Sequence, residues 1–160
     1  MSKMNPAPPL TTEELNALRR VDSCTLADAI ETFQVRLRNE GFMEGPVKCV
    51  FPSMKPMVGY AATVLIRGAA PAFAGPPYHD RTDLWEYIQS LPAPRVVVVQ
   101  DTSSHRGLGS FVGKVHMNIF QTLGCVGAVT NGAVRDLPAA ASGFQAAGLR
   151  HARVRYRPAA

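Results

Sequence analysis

A chain of 160 residues, 46% hydrophobic and 18% charged, has room for one domain with a real core, since about 150 residues bury roughly 70% of their unfolded surface. No apolar run approaches the roughly 20 residues that span a bilayer, and residues 1–10 lack the apolar stretch of a secretory signal, so a cytoplasmic protein without a membrane partner is expected. The net charge of +5 is scattered over Arg19, Arg20, Arg36, Arg38, Arg81 and Arg106, and is dense only at Arg150, Arg153, Arg155 and Arg157, which reads as a solvated terminus rather than a nucleic-acid face.

Residues 1–10 are Pro-rich and are expected to be disordered or loosely docked, leaving residues 11–160 as a single α/β domain. Thr11 followed three residues later by Glu14 is a capping box and predicts a helix through about Arg20. A second helix is predicted with Leu26, Ala29, Ile30, Phe33 and Leu37 on one inward face. Gly41, Gly45, Pro46, Pro52 and Pro56 make the next stretch a loop with one short strand at 47–51. Residues 58–67 read as a strand, 69–80 as a flexible loop, and a helix of about ten residues starts at Thr82 with Leu84, Ile88 and Leu91 facing inward.

Residues 95–100, with four consecutive valines, show the pattern of a strand buried on both faces of a parallel sheet. A polar loop at 101–109 follows. Ser110 is then expected to cap a helix carrying Val112, Val115, Ile119 and Leu123 on one face and stopped by Gly124. Residues 126–130 form the next predicted strand. Strand, helix and strand make one βαβ unit with a right-handed crossover. A last helix is predicted at about 138–147, then a short basic segment. Cys24, Cys49 and Cys125 form no CxxC pair, so buried free thiols are expected rather than a disulfide framework or zinc site.

Ligands of open α/β sheets bind beyond the carboxyl ends of the strands. Both strands of the βαβ unit deliver polar loops to that edge: Asp101 to Gly109 from the first, and Asn131-Gly-Ala-Val-Arg-Asp136 from the second. The helix start near Gly113 offers free N–H groups and a partial positive charge to an anion. Arg135 can grip a carboxylate with two parallel hydrogen bonds, and Asp136 offers hard oxygens to Mg²⁺ or Mn²⁺. An Arg-Asp pair after a strand is also a common structural ion pair, and His105 and His116 are candidate bases only if a ligand reaches them. The glycines at 107, 109 and 113 are one residue too widely spaced for GxGxxG, which argues against a dinucleotide.

The segment Gly113-Lys-Val-His116, then Gly124-Cys-Val-Gly-Ala-Val-Thr-Asn-Gly-Ala-Val-Arg-Asp136, resembles the signature of RraA-like proteins and the related class II pyruvate aldolases that cleave 4-hydroxy-4-methyl-2-oxoglutarate. Weaker similarity runs from about Val21 to Gly148. The resemblance implies a swivelling β/β/α sandwich around the βαβ unit, assembled as a homotrimer or hexamer with sites between subunits. It implies that Arg135 is catalytic and holds the carboxylate and keto oxygens of a pyruvate unit. It places Asp136 on a divalent metal, Mg²⁺ or Mn²⁺, and the substrate carboxylate on Gly113, Lys114, Val115 and His116 through backbone N–H groups. The implied activity is that of a carbon–carbon lyase, by retro-aldol cleavage or oxaloacetate decarboxylation. The alternatives are a non-catalytic regulator of an RNA-degrading endonuclease, or a degenerate relative.

Two departures stand out. Metal-dependent members carry Asp or Glu where this chain has Lys114. Unit charges about 4 Å apart interact by roughly 4 kcal/mol at an effective dielectric of 20, so a lysine facing the ion would weaken metal binding. Family members also generally continue further past the Arg-Asp motif, so the resemblance leads one to expect missing C-terminal strands and an exposed sheet edge.

Overall fold

The structure, a computed structural model, describes residues 8–43, 45–68, 82–137 and 143–150. Its spine is the run of valines in β3 (Arg95–Asp101), which pairs in parallel with β2 (Tyr60–Ile66) on one side and β4 (Cys125–Val134) on the other. Val97 and Val99 are fully enclosed, as expected of a strand covered on both faces. β5 (Gln145–Arg150) continues the parallel set beyond β4, and β1 (Lys48–Cys49) closes the sheet antiparallel to it, giving the order β1-β5-β4-β3-β2. α3 (Thr82–Ser90) connects β2 to β3, and α4 (Lys114–Thr122) connects β3 to β4. Ile88 from α3 and Met117 and Phe120 from α4 form the core with Val97, Val99, Val112 and Phe144, while Leu84, Trp85 and Leu91 pack against it.

Local sequence signals explain several boundaries. α1 (Thr12–Leu18) opens with the expected capping box: the Glu14 N–H donates to Thr11 Oγ1 at 3.2 Å, and the Thr11 N–H donates to Glu14 Oε2 at 2.7 Å. α2 (Ser23–Glu31) is capped by Asp22, which accepts from the Thr25 N–H at 2.9 Å. α4 stops at Gly124, whose φ of +75° continues the chain where an L side chain would be strained.

Other expectations are corrected. α2 ends at Glu31, none of its residues is buried, and Phe33 and Leu37 lie beyond it, exposed. Of the expected face, Leu26 and Ile30 are half-buried and Ala29 is exposed. In α4 the buried residues are Met117 and Phe120, whereas Val115 is 65% exposed. The helix starts at Lys114 rather than nearer Ser110, so Val112 lies before it and is buried outside the helix. Ser110 does not cap it. Its hydroxyl donates to the Ala133 carbonyl at 2.9 Å instead.

β4 runs on through Val134, so residues 131–134, expected in a loop, are strand. Residues 145–147, expected at the end of a last helix, belong to β5; the rest of that predicted helix at 138–142 lies outside the described residues, as do residues 1–7 and the predicted loop at 69–80. Only Cys125 is a buried thiol; Cys24 and Cys49 are exposed. No helix among the described residues is long and apolar enough to cross a membrane.

Candidate functional site

Two breaks in regular pairing build the site. β4 follows β3 only as far as Val99 opposite Thr130, and its register against β5 shifts between Val129 and Ala133. Within that shift the Gly132 N–H turns to Thr130 Oγ1 at 2.9 Å. The end of β4 then leaves β3 and joins the segment that leads into α4. Val134 bridges Val112 in parallel, and the Arg135 N–H donates to the Val112 carbonyl at 3.0 Å. A strand tip is thereby fastened to a helix start.

The consequence is contact between the two sequence motifs. A Cβ on Gly113 would lie 3.0 Å from Arg135 Cγ, 3.0 Å from Asp136 Oδ2 and 3.1 Å from Arg135 Nε. The Gly113 backbone is extended (φ −144°), a conformation open to any residue, so it is the approach of these two side chains that favours glycine. Arg135 Nη1 stands 3.4 Å from Asp136 Oδ2, and the Lys114 N–H donates to the same oxygen at 3.4 Å. Asp136 adopts φ +60°, which short polar side chains tolerate better than most.

This ion pair is half exposed, at 51% for the Arg135 side chain and 43% for that of Asp136. Exposed pairs contribute about 0–1 kcal/mol, so stability alone is a weak reason for its geometry. The described residues thus bring an arginine, a carboxylate and the open end of a nine-residue helix into one accessible place. That combination can bind a small, oxygen-rich anion.

The sequence matches the family described as RraA-like (Aldolase/RraA) over residues 23–153. The chain belongs to that family. No curated protein sequence matches it significantly. Among solved structures it is similar to the RraAS2 protein of Streptomyces coelicolor, described as an unusual member of the RNase ES inhibitor RraA protein family, with 18% identity and a TM-score of 0.59. That match covers 93% of this chain and 70% of the other. It is also similar to a chain from a crystal structure of novel cellulases from microbes associated with the gut ecosystem, with 16% identity, a TM-score of 0.62, and coverage of 90% of this chain and 61% of that one. At these identities the likeness shows the fold, an α/β architecture shared with RraA proteins. The chain spans about three-fifths of the one neighbour and 70% of the other.

The remaining RraA-motif residues divide clearly. Lys114 and Val115 are exposed at the first turn of α4. The ring of His116 is half buried and packs on Phe111, with centroids 4.4 Å apart, and near Trp85 and Phe120. Its side chain therefore serves as part of an aromatic cluster, while its backbone belongs to the helix start. His105 is exposed and its described partner is Ser104, at 3.1 Å.

Two residues at the same sheet edge were not singled out by sequence. Asp101 is 1% exposed and accepts from Ser103 Oγ at 2.6 Å, the Ser103 N–H at 2.9 Å and the Gly68 N–H at 3.2 Å. Burial raises its pKa, but these bonds and the charge of Arg106 outweigh that effect and hold the carboxyl below its usual range. The side chain of Asn131 faces the Asp101 backbone, accepting its N–H at 2.6 Å and donating to its carbonyl at 3.0 Å. Asp and Asn are side chains able to make such ties, but nothing in the neighbouring sequence marks which of them does.

Proposed function

We propose that this RraA-like chain is a lyase for a small α-keto acid, acting by oxaloacetate decarboxylation or by retro-aldol cleavage of a 4-hydroxy-2-oxo diacid. The observation carrying this reading is the packing of Arg135 and Asp136 directly against the Gly113 start of α4. Arg135 presents a planar fork suited to a carboxylate or to adjacent carboxylate and keto oxygens. The first N–H groups of a helix have no intrahelical partner; with the Lys114 N–H donated to Asp136, that of Val115 would receive the substrate carboxylate. As the C–C bond breaks, its electron pair moves toward the keto oxygen. Fixed positive groups aimed at that oxygen favour this charge more than they favour the ground state.

Asp136 is the carboxylate that would hold a divalent cation. Mg²⁺ and Mn²⁺ commonly take one or two protein carboxylates and otherwise water, so a single half-exposed aspartate fits that donor set. Such a cation would supply Lewis-acid polarisation of the keto acid oxygens. Assembly as a homo-oligomer belongs to the same reading.

The test is oxaloacetate decarboxylation by the purified chain with Mg²⁺ and with EDTA, alongside Arg135→Ala. Turnover should fall at least a hundredfold in the variant while its fold stays intact. Turnover indifferent to Arg135 would sink the proposal. A second reading, an RNase-inhibitor-like protein that acts by contact, is favoured by the exposed apolar residues Phe33, Val35, Leu37, Phe42 and Met43. Capture of an RNA-degrading endonuclease, lost when Phe33 and Phe42 are changed to serine, would support it over the lyase.

A further inference from the structure

We propose that Asn131 is a positioning residue: its side-chain amide, closed on the main chain of Asp101, sets where Arg135 and Asp136 stand against Gly113. The inference rests on reading that place as the ligand site, and it names the device that holds it in shape.

The β3–β4 ladder needs such a device. After Val99 opposite Thr130 the main chains stop pairing, and the Gly132 N–H is turned inward to Thr130 Oγ1. At that break Asn131 restores both missing bonds with its side chain. Its Oδ1 accepts the Asp101 N–H, and its Nδ2 donates to the Asp101 carbonyl. The amide orientation is forced, because the partners are one obligate donor and one obligate acceptor. A carboxamide at this distance acts as a peptide group would, while leaving the Asn131 backbone free to diverge from β3.

Each end of the tie is anchored. Asp101 is held through its carboxylate by Gly68 at the end of β2 and by Ser103. Only three residues separate Asn131 from Arg135. Along that run Ser110 holds the Ala133 carbonyl, Val112 bridges Val134, and the Val112 carbonyl receives the Arg135 N–H. If the tie at Asn131 opens, the β4 tip can fall back toward β3, and the contact of Arg135 and Asp136 with Gly113 loosens. The core strands, which pair below the break, need not change.

Two variants distinguish this role from general support of the sheet. Asn131→Ala removes both bonds. Asn131→Asp keeps the acceptor and, when ionised, sets a negative oxygen against the Asp101 carbonyl; when protonated it again presents one donor and one acceptor. The facing carbonyl favours the protonated form of the new acid. The Asp101 carboxyl is itself held below its usual range by Ser103 and Gly68, and Arg106 is the charged group beside it.

Amide hydrogen exchange would be measured on wild type and both variants at pH 7.5 and pH 4.5, as protection relative to intrinsic rates. Oxalate affinity in MgCl₂ would be measured by calorimetry on the same samples. Asn131→Ala should lower protection of the Arg135 amide roughly tenfold at both pH values, leaving Val97 and Val99 unchanged. Asn131→Asp should show that loss at pH 7.5 and regain wild-type protection at pH 4.5. Oxalate affinity should follow the same pattern. Wild-type protection at Arg135 in Asn131→Ala, or loss in Asn131→Asp that ignores pH, would overturn the proposal. Failure of the wild type to bind oxalate would instead count against the lyase reading, with the exchange result still deciding the role of Asn131.

Discussion

Two arginines at opposite ends of the sheet show how differently one side chain can be used. Arg95 begins β3, is 8% exposed, and spends its guanidinium on main-chain carbonyls. Its Nε donates to Leu91 at 2.8 Å, Nη1 to Leu123 at 2.6 Å, and Nη2 to Gln89 at 3.1 Å. Those carbonyls lie at the C-terminal ends of α3 and α4, where a cation also meets the negative end of each helix dipole. Arg135, just past the end of β4, is half exposed, and its described side-chain partner is the adjacent Asp136. One arginine satisfies part-buried main-chain carbonyls at two helix ends. The other keeps its fork open to solvent beside a helix start. Burial and partner chemistry, rather than residue type, separate a structural cation from one available to a ligand.

The comparison breaks or sharpens under substitution. Arg95→Ala removes a buried guanidinium from part-buried carbonyls at two helix ends and should lower the unfolding free energy by about 3 kcal/mol, with Arg95→Lys recovering only part of it. Arg135→Ala should change stability by no more than about 0.5 kcal/mol. Urea denaturation of the two alanine variants side by side checks the contrast, and equal losses would erase it.

Asp101 belongs energetically with Arg95, though it sits at the site's end of the sheet. Because its folded pKa lies below the ordinary value, it contributes stability above about pH 4, and that contribution is lost as pH falls through the folded value. Asp101→Asn should cost about 1–2 kcal/mol at pH 7 and flatten the acid limb of the stability–pH curve. An unchanged acid limb would mean that other carboxylates set it.

Gly113→Ala tests the open end. The new methyl must displace Arg135 and Asp136, so we expect at least a tenfold loss of any keto-acid turnover against a stability change of about 1 kcal/mol. The smallest effect concerns reactivity. Cys125 pairs across from Arg95, and burial pushes its thiol up to about 11 despite that arginine, whereas Cys24 and Cys49 are exposed. A disulfide reagent at pH 8 should label two thiols promptly and the third only on unfolding.

Much of this was legible in the residues themselves. The capping box at Thr11, the four valines of β3, the stop at Gly124 and the Arg-Asp pair beyond an apolar strand each depend on a few neighbouring side chains, and each stands where expected. The inward faces of α2 and α4 were misread because periodicity gives a face only once the helix start and its covering partner are known. β5 was missed for a related reason. Gln145-Ala-Ala-Gly148 is a weak strand by composition, and alanine favours helix. Yet small residues are what this place admits, since a Cβ on Gly148 would come within 2.5 Å of Val134 Cγ2.

Sequence alone therefore determined the family, the parallel βαβ unit and the two residues at its tip, because short-range patterning and a contiguous motif carry all three. Tertiary structure decided that β4 leaves β3 after Thr130, that Asn131 ties the break to Asp101, and that Val134 bridges Val112. Those outcomes depend on hydrogen bonds between strand ends far apart along the chain. Such bonds have no local signature, since any asparagine or serine could make them and only the packed sheet selects which one does.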